Sequence, residues 1–202
     1  KEPTEVGIDI LVGSLMKNLG AGEAKTGGYI VGKESLVHDV AERFSAPCVA
    51  KDIGANLNQN LSFFKGLYHA PSVVKSSLKT AVFASFMLEK LGYSVSPRYT
   101  DKRTDLVQTI ELGSEEKLVE FCQGIQKGAT LENYVTLVPS EIPGYPHKEI
   151  MASGSFISGS TIELSCDGPI APPFTAFMQG SLTYEYGKLG ILIALNNLCK
   201  SE

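Results

Sequence analysis

Metal and redox chemistry have little to work with in this sequence. Its four cysteines, Cys48, Cys122, Cys166 and Cys199, are scattered with no Cys-x-x-Cys pair, and only three histidines accompany them. Zinc sites and disulfide frameworks group their ligands more tightly, so the spacing reads as four free thiols in a reducing, cytoplasmic setting. His38, His69 and His147 stand at no readable spacing from a serine, cysteine or carboxylate, which leaves a hydrolytic triad or a metal site unsupported. No apolar run approaches the length of a bilayer span, and no basic-then-apolar leader opens the chain, so no membrane partner is expected. A net charge of −4 gives no electrostatic footprint for nucleic acid or an anionic surface. Internal repeats, low-complexity tracts and long charge blocks are missing as well. Asn60-Leu61-Ser62 matches a glycosylation sequon, which has no meaning in the cytoplasm.

What is present is an ordinary globular composition, 43% hydrophobic and 20% charged over 202 residues, enough for one large or two small domains. Ile8 to Val12 reads as a buried strand and Gly28 to Gly32 as a second. Leu36, Val37, Val40, Ala41 and Phe44 share one face of a helix over 35–44, stopped by Ser45-Ala46-Pro47. A further helix is expected over 57–68, aligned by Leu61, Phe64 and Tyr68. Ala70-Pro71 should break the chain, with Pro71 opening a long helix that turns Val74, Leu78, Ala81, Val82, Ser85 and Leu88 inward and ends at Gly92. Shorter elements follow: a strand over 105–112, a helix over 115–126 capped by Ser114, and strands at 134–138, 155–158 and 161–165. The Pro- and Gly-rich stretch 141–147 must be a loop, and 183–198 a terminal helix with Leu189, Leu192, Ile193 and Asn196 at helical spacing.

Against that background one lysine stands out. The first apolar run delivers Lys17 into the glycine-rich turn Gly13-Ser14-Leu15-Met16-Lys17-Asn18-Leu19-Gly20-Ala21-Gly22. A strand end that presents a single lysine suits a cofactor aldehyde, because the amine must be held and partly desolvated to act as a nucleophile. Taken alone, a solvated surface lysine fits the same residues. The neighbouring Gly20 to Thr26 imitates a phosphate-binding loop but fails it: Ala24, not glycine, precedes Lys25, and the segment runs into a strand rather than a helix.

The wider context favours the cofactor. Pro3-Thr4-Glu5-Val6-Gly7, Arg103-Thr104-Asp105-Leu106-Val107-Gln108, Ile162 to Pro169, and Gln179-Gly180-Ser181-Leu182-Thr183-Tyr184-Glu185 occur in order along nearly the whole chain. Together they resemble the C-terminal half of the methionine gamma-lyase/aluminium-resistance family, pyridoxal-phosphate (PLP) enzymes of fold type I related to cystathionine lyases. The resemblance implies an α/β chain in which residues 1–70 are the C-terminal part of the PLP-binding large domain. Residues 71–202 would then be a bridging helix and a small α+β C-terminal domain. It also implies a homodimer or homotetramer, an amino-acid substrate, and PLP as cofactor.

Residue by residue, the resemblance makes Lys17 the catalytic lysine that binds PLP as a Schiff base and shuttles protons at Cα. Ser14, three residues earlier, would donate to the cofactor phosphate; a small turn residue would look the same. Gly27 and Gly28 would let the backbone approach the phosphate of a neighbouring subunit, or would simply form a tight turn. Arg103 is expected to pair with the α-carboxylate of the substrate, with a surface arginine as the alternative; Arg43 lies among helix residues and Arg98 in a loop. Three positions depart from the family pattern: Met16 where threonine is common, Leu19 in place of proline, and Ala171 where an arginine is expected. A fold type I enzyme also needs a phosphate-gripping turn, a ring-stacking aromatic and an acidic partner for the pyridine nitrogen upstream of its lysine. Sixteen residues cannot hold these, so the chain reads as a fragment or processed piece of a longer protein. The whole protein is expected to be a carbon–sulfur lyase; an aminotransferase, or an inert half that only dimerises, are the alternatives.

Overall fold

The computed structural model describes residues 2–46, 48–52 and 57–200, and shows a mixed α/β chain that divides into two compact units, Lys1–Tyr68 and His69–Glu202. The first unit is built on an antiparallel ribbon of β1 (Ile10–Ser14) and β2 (Gly28–Gly32), paired from Ile10 opposite Gly32 to Ser14 opposite Gly28. Glycines make this ribbon tight. A Cβ on Gly13 would run into the ring of Tyr29, its cross-strand partner, and one on Gly32 would meet the Asp9 backbone. Helix α1 (Glu34–Phe44) follows directly, its start tied down by Lys33, whose N–H donates to the Asp9 carbonyl at 2.9 Å and whose ammonium pairs with the Asp9 carboxylate. Its expected apolar face is only half-buried, and Phe44 is 90% exposed. The helix closes with the Ser45 hydroxyl donating to the Ala41 carbonyl at 2.7 Å; Pro47, expected to stop it, lies outside the described residues.

The expected break at Ala70-Pro71 does not occur. Residues Asn60–Lys90 form one helix, α2, with Pro71 inside it, so the helices anticipated over 57–68 and from Pro71 onward are a single element. Proline costs the ladder the one hydrogen bond that its missing N–H would give to the carbonyl four residues back, but its φ is already helical. Helix α2 ends as anticipated at Gly92, whose φ of +87° turns the chain left-handed while Tyr93 N–H donates to the Leu88 carbonyl at 3.0 Å. Its inward stripe is Val73, Ser77, Thr80, Ala81, Ala84, Ser85 and Leu88; Val82, expected inward, is exposed.

The second unit carries a five-stranded antiparallel sheet in the order β3 (Ser94–Ser96), β4 (Gln108–Glu111), β7 (Thr175–Gln179), β6 (Ser165–Pro169), β5 (Glu149–Ser153). Period-two alternation sends Ile110, Ile150, Ala152, Cys166, Ala176 and Met178 to one face. There they meet Leu118, Phe121, Cys122 and Ile125 of α3 (Glu115–Lys127), which in turn packs on α4 (Tyr184–Leu198). Each fully buried aliphatic or aromatic side chain of this layer contributes about 1.5–3 kcal/mol. Ser114 and Thr183 cap the two helices by accepting from Lys117 N–H at 3.3 Å and Tyr186 N–H at 3.4 Å.

Three strands were misplaced from sequence. Residues 134–138 and 155–158 are irregular, and of 161–165 only Ser165 belongs to a strand; the real β5 and β6 lie at Glu149–Ser153 and Ser165–Pro169. The strand expected over 105–112 is shorter, because the Asp105 carboxylate caps Val107 N–H at 2.9 Å and holds that stretch as a turn. In α4 the leucines at 189 and 192 are exposed, whereas Gly187, Gly190, Ile191, Ala194, Leu195 and Leu198 are buried. Small residues set this face: a Cβ on Gly124 would lie 2.5 Å from the Ala194 Cα, and one on Gly128 would lie 2.7 Å from the Gly190 Cα. Gly124→Ala should therefore lower the stability of the second unit by on the order of 2 kcal/mol, read as a drop in urea midpoint at unchanged m-value. An unchanged midpoint would mean that α3 and α4 are not in backbone contact there.

Candidate functional site

Lys17 stands where β1 leaves the ribbon. One hydrogen bond past the last strand pair, Leu15 N–H donates to the Gly27 carbonyl at 2.9 Å. Ser14 Oγ then accepts from Met16 N–H at 3.1 Å, a serine turn that ends the pairing. Lys17 itself is extended, with φ −81° and ψ −158°, and caps a single 3-10 turn, Asn18–Gly20. That turn is closed by Gly20 N–H to the Lys17 carbonyl at 2.9 Å and Ala21 N–H to the Asn18 carbonyl at 3.1 Å.

Two close backbone approaches hold this loop in place. Gly20 sits against the Leu15 carbonyl, where any Cβ would collide, and a Cβ on Gly66 of α2 would lie 2.6–2.8 Å from the Gly20 backbone. Ala24 is fully buried behind them. On the opposite strand Gly27 has φ +105°, a conformation that side chains other than glycine's rarely adopt, and a Cβ there would also lie 3.0 Å from the Phe63 ring. A Cβ on Gly28 would be 3.1 Å from the Gly13 carbonyl oxygen.

Four of the five residues singled out from sequence, Ser14, Lys17, Gly27 and Gly28, thus come together at one end of the ribbon. Ser14 is half-buried, while Lys17, Gly27 and Gly28 are exposed. The exposure of Lys17 differs from the desolvated seat expected for it, because the described residues of this unit place no cover over it. Asn18, which sequence reasoning missed, has its Oδ1 buried without a hydrogen-bond partner. A buried acceptor beside the lysine is open to a donor from a bound group, and no periodicity or spacing signals it.

The fifth residue, Arg103, belongs to the second unit. Its Nη2 donates to Gln108 Oε1 and, at 3.4 Å, to the Pro97 carbonyl, while Nε and Nη1 are buried with no partner. Burial pushes its pKa below the usual arginine value, and the nearby charges of Asp105 and Asp101 oppose that shift. Arg98, by contrast, is spent on Glu89, to which its Nη2 and Nε donate at 3.0 and 3.2 Å; that hydrogen-bonded pair raises its pKa. Arg43 is exposed on α1. Gln108 also escaped notice in the sequence. Its signal is an alternation, Gln108-Ile110-Leu112, that puts an amide in a core slot.

Among the described residues no group of three or more histidine, cysteine or acidic side chains is placed to hold a metal, and no helix is long and apolar enough to cross a membrane. A cavity of about 300 Å³ in the second unit, lined by Gly128, Gly154, Leu164, Thr183 and Tyr186 among others, includes neither Arg103 nor Gln108.

Residues 1–199 match the family model described as methionine gamma-lyase. An uncharacterised 33.9 kDa protein of Lactobacillus delbrueckii subsp. bulgaricus is 45% identical over 201 residues, covering 100% of this chain and 66% of that protein. A protein of Listeria monocytogenes, named as a candidate cystathionine beta-lyase involved in aluminium resistance, superposes with a TM-score of 0.94 at 41% identity; the match covers 98% of this chain and 49% of that one. A carbon–sulfur lyase involved in aluminium resistance from Clostridium novyi NT gives 0.90 at 42% identity, over 96% of this chain and 46% of that one. The chain therefore spans about half the length of these solved relatives.

The geometry of the loop makes Gly27 the residue to test. Gly27→Ala should cost roughly 1–2 kcal/mol locally, from the positive φ alone. Faster hydrogen exchange at the Leu15 amide, which donates to Gly27, is the expected reading; unchanged protection there would show that the ribbon end tolerates a side chain.

Proposed function

The chain belongs to the methionine gamma-lyase family, and from that premise we propose that the whole gene product is a PLP-dependent carbon–sulfur lyase acting on a sulfur-containing amino acid. The observation that supports this most is the convergence of Lys17, Ser14, Gly27 and Gly28 at one ribbon end. On this proposal the first unit is the C-terminal part of a fold type I large domain and the second is its small domain.

The residues fit the cofactor. Lys17 offers an amine at the end of a strand, Ser14 keeps a hydroxyl proton to donate while its oxygen accepts from Met16, and Gly27 and Gly28 leave no Cβ where a phosphate would approach. Asn18 Oδ1 is an acceptor still without a donor. When bound, the cofactor supplies an electron sink that lets the Cα–H bond and then a carbon–sulfur bond at the β- or γ-position break.

Lys17 Nζ would hold the cofactor aldehyde, give it up to the substrate amine, and then take the proton from Cα and pass it to the departing sulfur, which leaves as a thiol. Ser14 would hold the phosphate, so that the lysine is the group that moves, and Gly27 and Gly28 would approach the phosphate bound in a neighbouring subunit. Arg103 would take the substrate α-carboxylate through Nη1 or Nε, since both hydrogens of Nη2 are already engaged. Met16, Leu19 and Ala171 place no polar group where the family pattern has threonine, proline or arginine, and take no step here. A homodimer or homotetramer accords with the apolar surface left on the first unit, where Val12, Phe64 and Tyr68 are exposed.

One observation favours a second proposal for the 202 residues by themselves, an inert half. Lys17 is exposed, whereas a nucleophilic lysine needs a dry seat. An aminotransferase would use the same lysine, and product analysis separates it from a lyase. The test of the cofactor role is chemical. Borohydride reduction of the PLP-loaded gene product should attach the cofactor to Lys17, recovered in the peptide from Ser14 to Lys25, and Lys17→Ala should remove the visible absorbance. Labelling at Lys25 or Lys33 instead would overturn the assignment.

A further inference from the structure

Gln108 is completely buried at the start of β4, in a row that otherwise carries Ile110 and Leu112. A buried amide is unfavourable unless each of its groups is paired, and here each is. Its Nε2 donates to the Pro97 carbonyl at 3.0 Å and to the Thr109 carbonyl at 3.1 Å, and its Oε1 accepts from Arg103 Nη2. This pattern settles which way the amide points. Flipped, it would set its oxygen against two carbonyl oxygens and its NH₂ against a guanidinium, so the oxygen must face Arg103.

The Pro97 carbonyl is itself anchored. It accepts from Ser85 of α2 at 3.1 Å as well as from Gln108 and Arg103, and Thr109 Oγ1 donates to the adjoining Ser96 carbonyl at 2.9 Å. Arg103 is therefore held at one corner, Nη2, by two acceptors fixed to α2 and β4, and its remaining buried donors, Nε and Nη1, are left without partners.

We propose that Gln108 is the positioning residue of Arg103: by pinning Nη2 from the core it presents Nη1 or Nε, already desolvated, to a single carboxylate. The inference rests on the proposal that Arg103 meets the substrate carboxylate. A guanidinium pinned at one corner loses little side-chain freedom on binding, and its donors need not be dried first. With Nη2 engaged, the arginine contacts the acid through one nitrogen at a time rather than through a full fork.

The test compares L-methionine with L-methioninamide, which lacks the carboxylate, by equilibrium dialysis against the whole, cofactor-free gene product. The native protein should prefer the acid. Gln108→Leu, which fills the core but offers no acceptor, should cut that preference by about tenfold while leaving the amide's binding unchanged. If Gln108→Leu does not fold, Gln108→Glu serves in its place: a carboxyl against the guanidinium should compete with the ligand and reduce the preference at least as far, and a preference that survives it overturns the proposal. Equal weakening of both ligands would show a merely structural residue and overturn it too. If Arg103→Leu abolishes the preference and Gln108→Leu does not, the positioning role fails while the carboxylate role of Arg103 stands. No preference in the native protein, or one that survives Arg103→Leu, removes both.

Discussion

The first unit depends on a place where two backbones touch with no side chain between them. Gly66 of α2 lies against Gly20, so the helix presses on the turn that Lys17 begins, and Gly20 in turn lies against the Leu15 carbonyl. A methyl group at Gly66 would push helix and turn apart, and one at Gly20 would strike the Leu15 carbonyl. Because the turn is short and closed by its own hydrogen bonds, moving Gly20 moves Lys17 with it. Ala24, buried without exposed surface, completes the contact. The ribbon supplies the rest: Ser14 and Gly28 face each other across the last rung, and Gly27 turns left-handed beside them.

The second unit solves its packing in a related way, with a different result. Gly124 of α3 and its C-cap Gly128 lie against Ala194 and Gly190 of α4, which lets α4 pack closely on α3. Where the first unit uses close approach to place a loop, this one uses it to thin a core layer. The polar exception is the row that begins at Gln108. There the interior carries a hydrogen-bonded line from Ser85 through the Pro97 carbonyl to Gln108 and Arg103, and a buried line of that kind is stable only when nearly every member is paired. Arg103 Nε and Nη1 are its unpaired end.

Much of this was legible in the residues. The second ribbon strand, the cap Ser114, the terminal helix and the stop at Gly92 follow from an apolar run, a hydroxyl cap and a glycine after the last turn; the first strand lies at Ile10–Ser14 rather than 8–12, and Val12, expected to be buried, is exposed. Pro71 misled because a helix can lose one hydrogen bond when both its flanks are well packed, as Ala70 and Val73 are. The exposed leucines of α4 misled for another reason: period alone cannot tell a leucine stripe from a glycine and alanine stripe that packs closer. Strand β6 was missed because glycine, proline and aspartate in Cys166-Asp167-Gly168-Pro169 weaken every local strand signal, and pairing with β5 and β7 overrides it. Lys17, Ser14, Gly27 and Gly28 were singled out through the family resemblance, and the pairing of the ribbon brings them to one end. Asn18 was not, since a buried unpaired oxygen is a fact of packing, and Gln108 was not, since its alternation with Ile110 and Leu112 marks a core slot but not the partners of the amide.

On the proposal that this chain helps to bind PLP, the seat would be made by the geometry of the ribbon end and not by the lysine alone. Gly66→Ala tests this most directly, because it leaves Lys17, Ser14, Gly27 and Gly28 in the sequence and alters only the backbone contact beneath them. In the whole gene product, with folding checked by circular dichroism, titration with PLP should show affinity weakened by about tenfold or more. Affinity equal to that of the native protein, with Gly66→Ala fully folded, would contradict the account.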